Sequence, residues 1–365
     1  MEDSHFEIGN LAGTGDSLFA VFDGHGGSAV SKFCCDNFVS VLTSDEKFKS
    51  GQISEALRRT YLKLDEMLQD PANGHKLKKY AGGKPISADN TSGGDMGRRG
   101  SLNLALNTGC TAVVVHLSGD AITIANTGDS RAVLCRDGRA VDLTTDHKTT
   151  LQSELDRISA AGGIVLNGRV NGSLNLTRAI GDLAFKGDTS LSPEKQVITA
   201  NPDLEEIKCD LDTDDFIVIA CDGLWEVMTS QEVVDYISHG LCAIRDVPSS
   251  SPVSATSPPT CLSDLIGKML DIVCSDDVGK TEGLGGDNLS CIVVDLRPLK
   301  PLCNTDRVSR CASDPFVLKP ESYKVFEFRN GTSSDGADDF TDGEWECRIE
   351  RLDDSTFEHS SVSPK

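Results

Sequence analysis

Positive charge is scarce in this chain. Over 365 residues, 35 Lys and Arg stand against 57 Asp and Glu, a formal net charge of −22. Nucleic-acid affinity comes from Lys and Arg that neutralise phosphates, so the deficit excludes a polyanion binder. It equally argues against docking on an anionic membrane. No apolar run approaches the ~18 residues needed to span a bilayer. The N-terminal MEDSHFEIGN has neither the basic nor the apolar region of a secretory signal. No C-x-x-C pair occurs among the 13 cysteines, and several sit in apolar runs such as Ile219-Ala220-Cys221 and Ser290-Cys291-Ile292. That is the usage of buried small hydrophobes in a reducing compartment, not of a disulfide framework or a zinc site. A soluble, monomeric, intracellular protein is expected, cytoplasmic or nuclear.

What is present is an ordered first part and an acidic end. Hydrophobic residues make up 38% of the chain, enough for a sizeable core. The runs 17–22, 110–117, 121–126, 131–135, 215–221 and 289–295 are β-branched or alternating and predict strands. Tight turns at Ser118-Gly119-Asp120 and Asp137-Gly138 join neighbours into antiparallel hairpins. Helical period marks 28–42, 53–68, 152–161 and 262–273. The expected architecture is α+β: a β-sandwich of two antiparallel sheets with helices outside. Residues 70–107 and 247–260 read as polar insertions. The stretch 298–365 reads as a weakly ordered acidic tail, with ten acidic residues against two basic over 335–358.

Three acidic residues sit beside glycine at predicted strand ends: Asp23 in Phe22-Asp23-Gly24-His25-Gly26-Gly27, Asp222 in Cys221-Asp222-Gly223, and Asp287 in Gly285-Gly286-Asp287-Asn288. Brought to one sheet edge, they would repel one another unless cations neutralised them. Carboxylate and carbonyl ligands without Cys or His select hard ions such as Mg²⁺ or Mn²⁺. Two such ions can activate a water toward phosphorus, which points to phosphate-ester hydrolysis. No EF-hand spacing is present.

The ordered series Met1-Glu2-Asp3, VFDGHGG (21–27), NTGDSRAVL (126–134), TTDHK (144–148), RVNGSLNLTRAIGD (169–182), ACDGLWEVM (220–228) and GGDN (285–288) resembles the metal-dependent Ser/Thr protein phosphatases of type 2C, over residues 1–297. The resemblance implies a sandwich with helices on both outer faces and phosphorylated proteins as substrates. It implies that Asp23 bridges two Mg²⁺ or Mn²⁺ ions. Asp222 and Asp287 would bind one, and Glu2 with the Gly24 carbonyl the other. Asp3 would hold metal-bound water. Asp146, with Asp222 and Glu226, would form a third, weaker site. His25 would be the general acid that protonates the departing Ser or Thr oxygen, water being the nucleophile with no phosphoenzyme. Residues 167–202 would be a flap beside the cleft.

The family's preceding strand and its phosphate-binding Arg have no counterpart ahead of Met1, so a longer natural chain is expected, and Glu2 is expected on a fraying terminus. Arg169 and Arg178 are the other arginines considered for that role. A pseudophosphatase that works as a binding module is the alternative function. A nuclease is disfavoured by the charge of −22.

Overall fold

The computed structural model describes residues 1–81, 104–246, 261–281 and 283–296. Its longer strands are β1 (Ser4–Ile8), β2 (Ser17–Phe22), β3 (Ala112–Ser118), β4 (Ala121–Thr127), β5 (Arg131–Arg136), β6 (Arg139–Asp142), β7 (Asp203–Lys208), β8 (Asp214–Ala220) and β9 (Cys291–Asp295). One antiparallel sheet runs β1-β2-β3-β4-β7 and the other β9-β8-β5-β6. The period of two decides which side chains meet. Val113 and Val115 of β3 and Ile122 and Ile124 of β4 point between the sheets, against Ala132, Leu134, Ile217 and Ile219. Their neighbours Ala112 and Val114 point the other way.

Helices cover both outer faces. The main ones are α1 (Ala29–Ser44), α2 (Ile53–Gln69), α3 (Gly74–Tyr80), α4 (Gln152–Ala160), α5 (Ser230–Asp246) and α6 (Leu262–Val273). α1 and α2 bury Phe33, Phe38, Leu57 and Tyr61 on the first sheet. The Tyr61 hydroxyl donates to the Ala125 carbonyl at 2.9 Å, so this buried polar group is satisfied. α5 and α6 bury Val234, Ile237, Leu265 and Met269 on the second sheet. The layers are therefore α-β-β-α, as expected. Among the described residues no helix is long and apolar enough to cross a membrane.

The structure corrects some boundaries. Within 70–107, residues 74–80 form α3, anchored by buried Leu77, and 104–106 are helical. Residues 82–103 of that insertion, all of 247–260 and the tail 298–365 lie outside the described residues. β9 begins at Cys291 rather than at 289. β1 and β7 add edge strands, and in β7 charged residues on both faces hide the apolar pattern.

A buried ionic hub fastens 167–202 to α4. Glu154, 1% exposed, accepts from Arg178 at 3.0 and 2.7 Å and from the Thr177 hydroxyl at 2.7 Å, and pairs with Arg157. Arg178 also donates to the Asn201 carbonyl at 3.0 Å and to Asp203 at 2.7 Å. Arg169 is tied to the Ser173 carbonyl at 2.8 Å. Arg178 is thus committed to the buried network, while Arg169 is exposed. Burial alone would raise the Glu154 pKa, but Arg178 and Arg157 outweigh it and hold it down to about 2. Glu154→Ala strands two guanidinium groups and is expected to cost about 3–5 kcal/mol in urea unfolding. Because the folded pKa is depressed, this stabilisation is full above the ordinary value of 4.5 and disappears as pH falls toward about 2. The gap between wild type and Glu154→Gln should close across that window.

Candidate functional site

β2 ends by delivering Asp23 into the glycine turn. The backbone of Asp23 is fixed on both sides by Thr111: its N–H donates to Thr111 Oγ1 at 3.3 Å, and its carbonyl accepts from the Thr111 N–H at 2.9 Å. Thr111 Oγ1 in turn contacts Ser130 Oγ at 2.7 Å. Gly24 is required by close approach, since a Cβ there would collide with the Glu2 carbonyl and the Ser31 hydroxyl.

Glu2 is not frayed. Its N–H donates to Asn288 Oδ1 at 3.1 Å, its carboxylate accepts from the Gly27 N–H at 2.8 Å, and its carbonyl accepts from the Ser31 hydroxyl. The first residues are stitched to the glycine turn and to the Gly285–Asn288 loop.

Around Asp23 the strand ends gather more carboxylates than they neutralise. Asp3 is 6% exposed and Asp129 1% exposed, and no oxygen of either makes a hydrogen bond of good geometry. Burial, then the charges of Asp222, Asp3 and Asp129, push Asp23 up to about 10. Burial followed by Asp222, against the opposing pull of Lys148, pushes Asp129 up to about 7. Burial also raises Asp3, although Ser290, Cys221 and Asp23 lie near enough to offset part of the effect. Asp222 is raised by burial and by the charge of Asp287. Such an arrangement is stable only with protons or cations added, and oxygen-only donors suit hard divalent ions. Among the described residues, no three Asp, Glu, His or Cys side chains close on one point as a finished ligand set. Ions here would keep much of their water, as Mg²⁺ usually does.

The other expected residues divide. Asp287 and Glu226 lie exposed at the rim, Asp287 acting on Asp3 and Asp222, and Glu226 itself raised by partial loss of hydration and by the charge of Asp222. Asp146 is gripped by Arg131 through Nε at 3.0 Å and Nη2 at 2.8 Å, while its charge still reaches Asp129 and Asp222. The carboxylate that faces Asp222 without a hydrogen bond is Asp129, with the Lys148 ammonium 3.6 Å away. Its position in Asn126-Thr127-Gly128-Asp129, an acid beside glycine at the end of β4, matches the pattern of the other three.

His25 stands beside this cluster with its Nε2 2.7 Å from Asp182 Oδ2. Burial depresses the imidazole, but the hydrogen bond and charge of Asp182, with Asp129 and Glu2 behind it, lift its pKa above the ordinary value. Asp182 is 2% exposed and sits in the left-handed region at φ +49°. Gly109 lies under the pair, and a Cβ there would strike both the Asp182 carboxylate and the ring of His25. Asp182 escaped the sequence reading because its block, Thr177-Arg178-Ala179-Ile180-Gly181-Asp182, lies far from His25 along the chain.

Residues 1–247 match the protein phosphatase 2C family model. Probable protein phosphatase 2C 21 of Arabidopsis thaliana is 38% identical over 319 residues, covering 82% of this chain and 84% of that protein. Protein phosphatase 2C homolog 2 of Saccharomyces cerevisiae is 35% identical over 303 residues, 81% of this chain and 55% of that one. A solved serine-threonine phosphatase 2C from Toxoplasma gondii shares the fold at a TM-score of 0.57 and 18% identity, covering 80% of this chain and 90% of its own. The chain belongs to the protein phosphatase 2C family.

Proposed function

We propose that this enzyme is a divalent-cation-dependent protein phosphatase that hydrolyses phosphoserine and phosphothreonine in proteins. The observation that carries the reading is the carboxylate group around Asp23, in which the oxygens of buried Asp3 and Asp129 make no hydrogen bond, set beside the His25–Asp182 pair. The names of the relatives support the substrate class.

Asp23 would face two Mg²⁺ or Mn²⁺ ions, Asp222 and Asp287 serving one, Glu2 and the Gly24 carbonyl the other. Asp3 would orient water from beneath. Asp129 takes the third-site role in place of Asp146, whose carboxylate belongs to Arg131. When bound, the ions would polarise the phosphoryl oxygens and lower the pKa of a bound water. The remaining work falls to His25. With Nε2–H donated to Asp182, the proton on Nδ1 is the one available to the departing seryl or threonyl oxygen as the P–O bond breaks. Asp182 fixes the ring and stabilises its charged form, in the manner of a base-orienting carboxylate.

Three outcomes are expected. Hydrolysis of a phosphothreonine peptide should require Mn²⁺ and be abolished by EDTA and by Asp222→Ala; activity surviving chelation rejects the proposal. His25→Ala should lose about a hundredfold or more on the phosphopeptide and far less on an aryl phosphate, whose better leaving group needs little protonation. Asp129→Asn should raise the unfolding temperature in EDTA, because it removes a buried like charge, and shrink the gain produced by Mn²⁺. Asp146→Asn should do neither, lowering the unfolding temperature by releasing Arg131.

A further inference from the structure

Asp182 sits in the left-handed region at φ +49°, which Asp enters more readily than most side chains, and a set of bonds from its surroundings holds it there. The ties run to helix α2. Asp65, buried on the inner face of α2, accepts from the Gly181 N–H at 2.8 Å through Oδ1. The same oxygen accepts from Lys186 Nζ at 2.7 Å, and Lys186 also donates to the Ala179 carbonyl at 2.8 Å. Both charged side chains are nearly dry, 4% exposed for Lys186 and 9% for Asp65. Lys186 thus closes the segment Ala179–Lys186 on itself, and Asp65 pins the Ile180–Gly181 peptide, one residue ahead of Asp182. Two further bonds complete the clasp: Asp182 N–H to the Thr108 carbonyl at 3.0 Å, and Phe185 N–H to the Asp182 carbonyl at 3.0 Å.

A buried ion pair is weak evidence for stability, because a matched apolar pair often packs as well. What this one does specifically is fix the turn whose carboxylate is 2.7 Å from His25. We infer that Asp65 and Lys186 are positioning residues for proton donation by His25, acting through the Gly181–Asp182 turn. The bonds of the pair run to Gly181 and Ala179 and not to the carboxylate cluster, so its loss should reach the chemistry only through Asp182. A shift of the Asp182 carboxylate by about 1 Å would break its bond to the imidazole and misalign the donor. This inference rests on the general-acid role proposed for His25.

The signature is leaving-group dependence, which a purely structural clamp would not produce. The 365-residue chain, charged with Mn²⁺, is assayed on a phosphothreonine peptide and on p-nitrophenyl phosphate. Two variants are compared: Asp65→Asn, which can still accept from the Gly181 N–H, and Asp65→Leu/Lys186→Met, an uncharged pair that cannot. The double variant should lose about tenfold in kcat on the peptide while staying within about twofold on the aryl ester, and Asp65→Asn should lose less on the peptide. Adding His25→Ala to either should bring no further peptide loss beyond that of His25→Ala alone. Should the double variant fail to fold, the leaving-group bias of Asp65→Asn and its non-additivity with His25→Ala decide the matter. Equal losses on both substrates, or losses that multiply with His25→Ala, overturn the positioning role. If His25→Ala itself shows no leaving-group bias, the general-acid reading falls and the positioning role with it.

Discussion

Mutual repulsion among buried carboxylates is the constraint on which the rest depends. Asp3, Asp23, Asp129 and Asp222 come from four separate stretches of chain, and burial together with neighbouring carboxylates raises all four. A protein gains nothing in stability from such a grouping, since each charge loses hydration and faces others of its own sign. The surrounding structure works to hold it in place. The two sheets supply strand ends at one edge, and Thr111 fixes the backbone of Asp23. The stitched residues Glu2 and Asn288 close the near side. Stability lost at the edge is made good in the three apolar layers, where long runs of Val, Ile and Leu are fully buried.

The helix-covered sandwich was legible because its information is local. The β-branched run in 112–118, the alternation in 121–127 and the turn residues between them define a hairpin without reference to anything distant. The same locality explains Asp23 and Asp222, each announced by an apolar run and a following glycine. Asp129 and Asp146 show the limit. Seventeen residues apart, both acids follow turn signals, and only the folded chain reveals that Arg131 reaches Asp146 and leaves Asp129 facing Asp222. Edge strands were missed for a different reason: Asp203–Lys208 carries charge on both faces at a sheet margin, where protection against mispairing outweighs apolar pattern. Asp182 was invisible for a third, because a left-handed backbone at a non-glycine residue is imposed by tertiary bonds and leaves no mark in composition.

Charge scarcity also takes on a definite meaning. Several of the scarce cations are committed inside the molecule: Arg157 and Arg178 to Glu154, Arg131 to Asp146, Lys186 to Asp65. The carboxylate group is left with Lys148 beside Asp129 and little else of opposite sign. An intramolecular arrangement that withholds its own cations from a cluster of acids is what an external divalent ion would complete.

Calorimetric titration of the EDTA-stripped protein with Mn²⁺, in parallel with Asp23→Asn, tests that claim most directly. Saturable binding of at least two ions to the wild type, sharply weakened in Asp23→Asn, is the result expected. Absence of binding, or equal binding by both proteins, would contradict a centre built on Asp23.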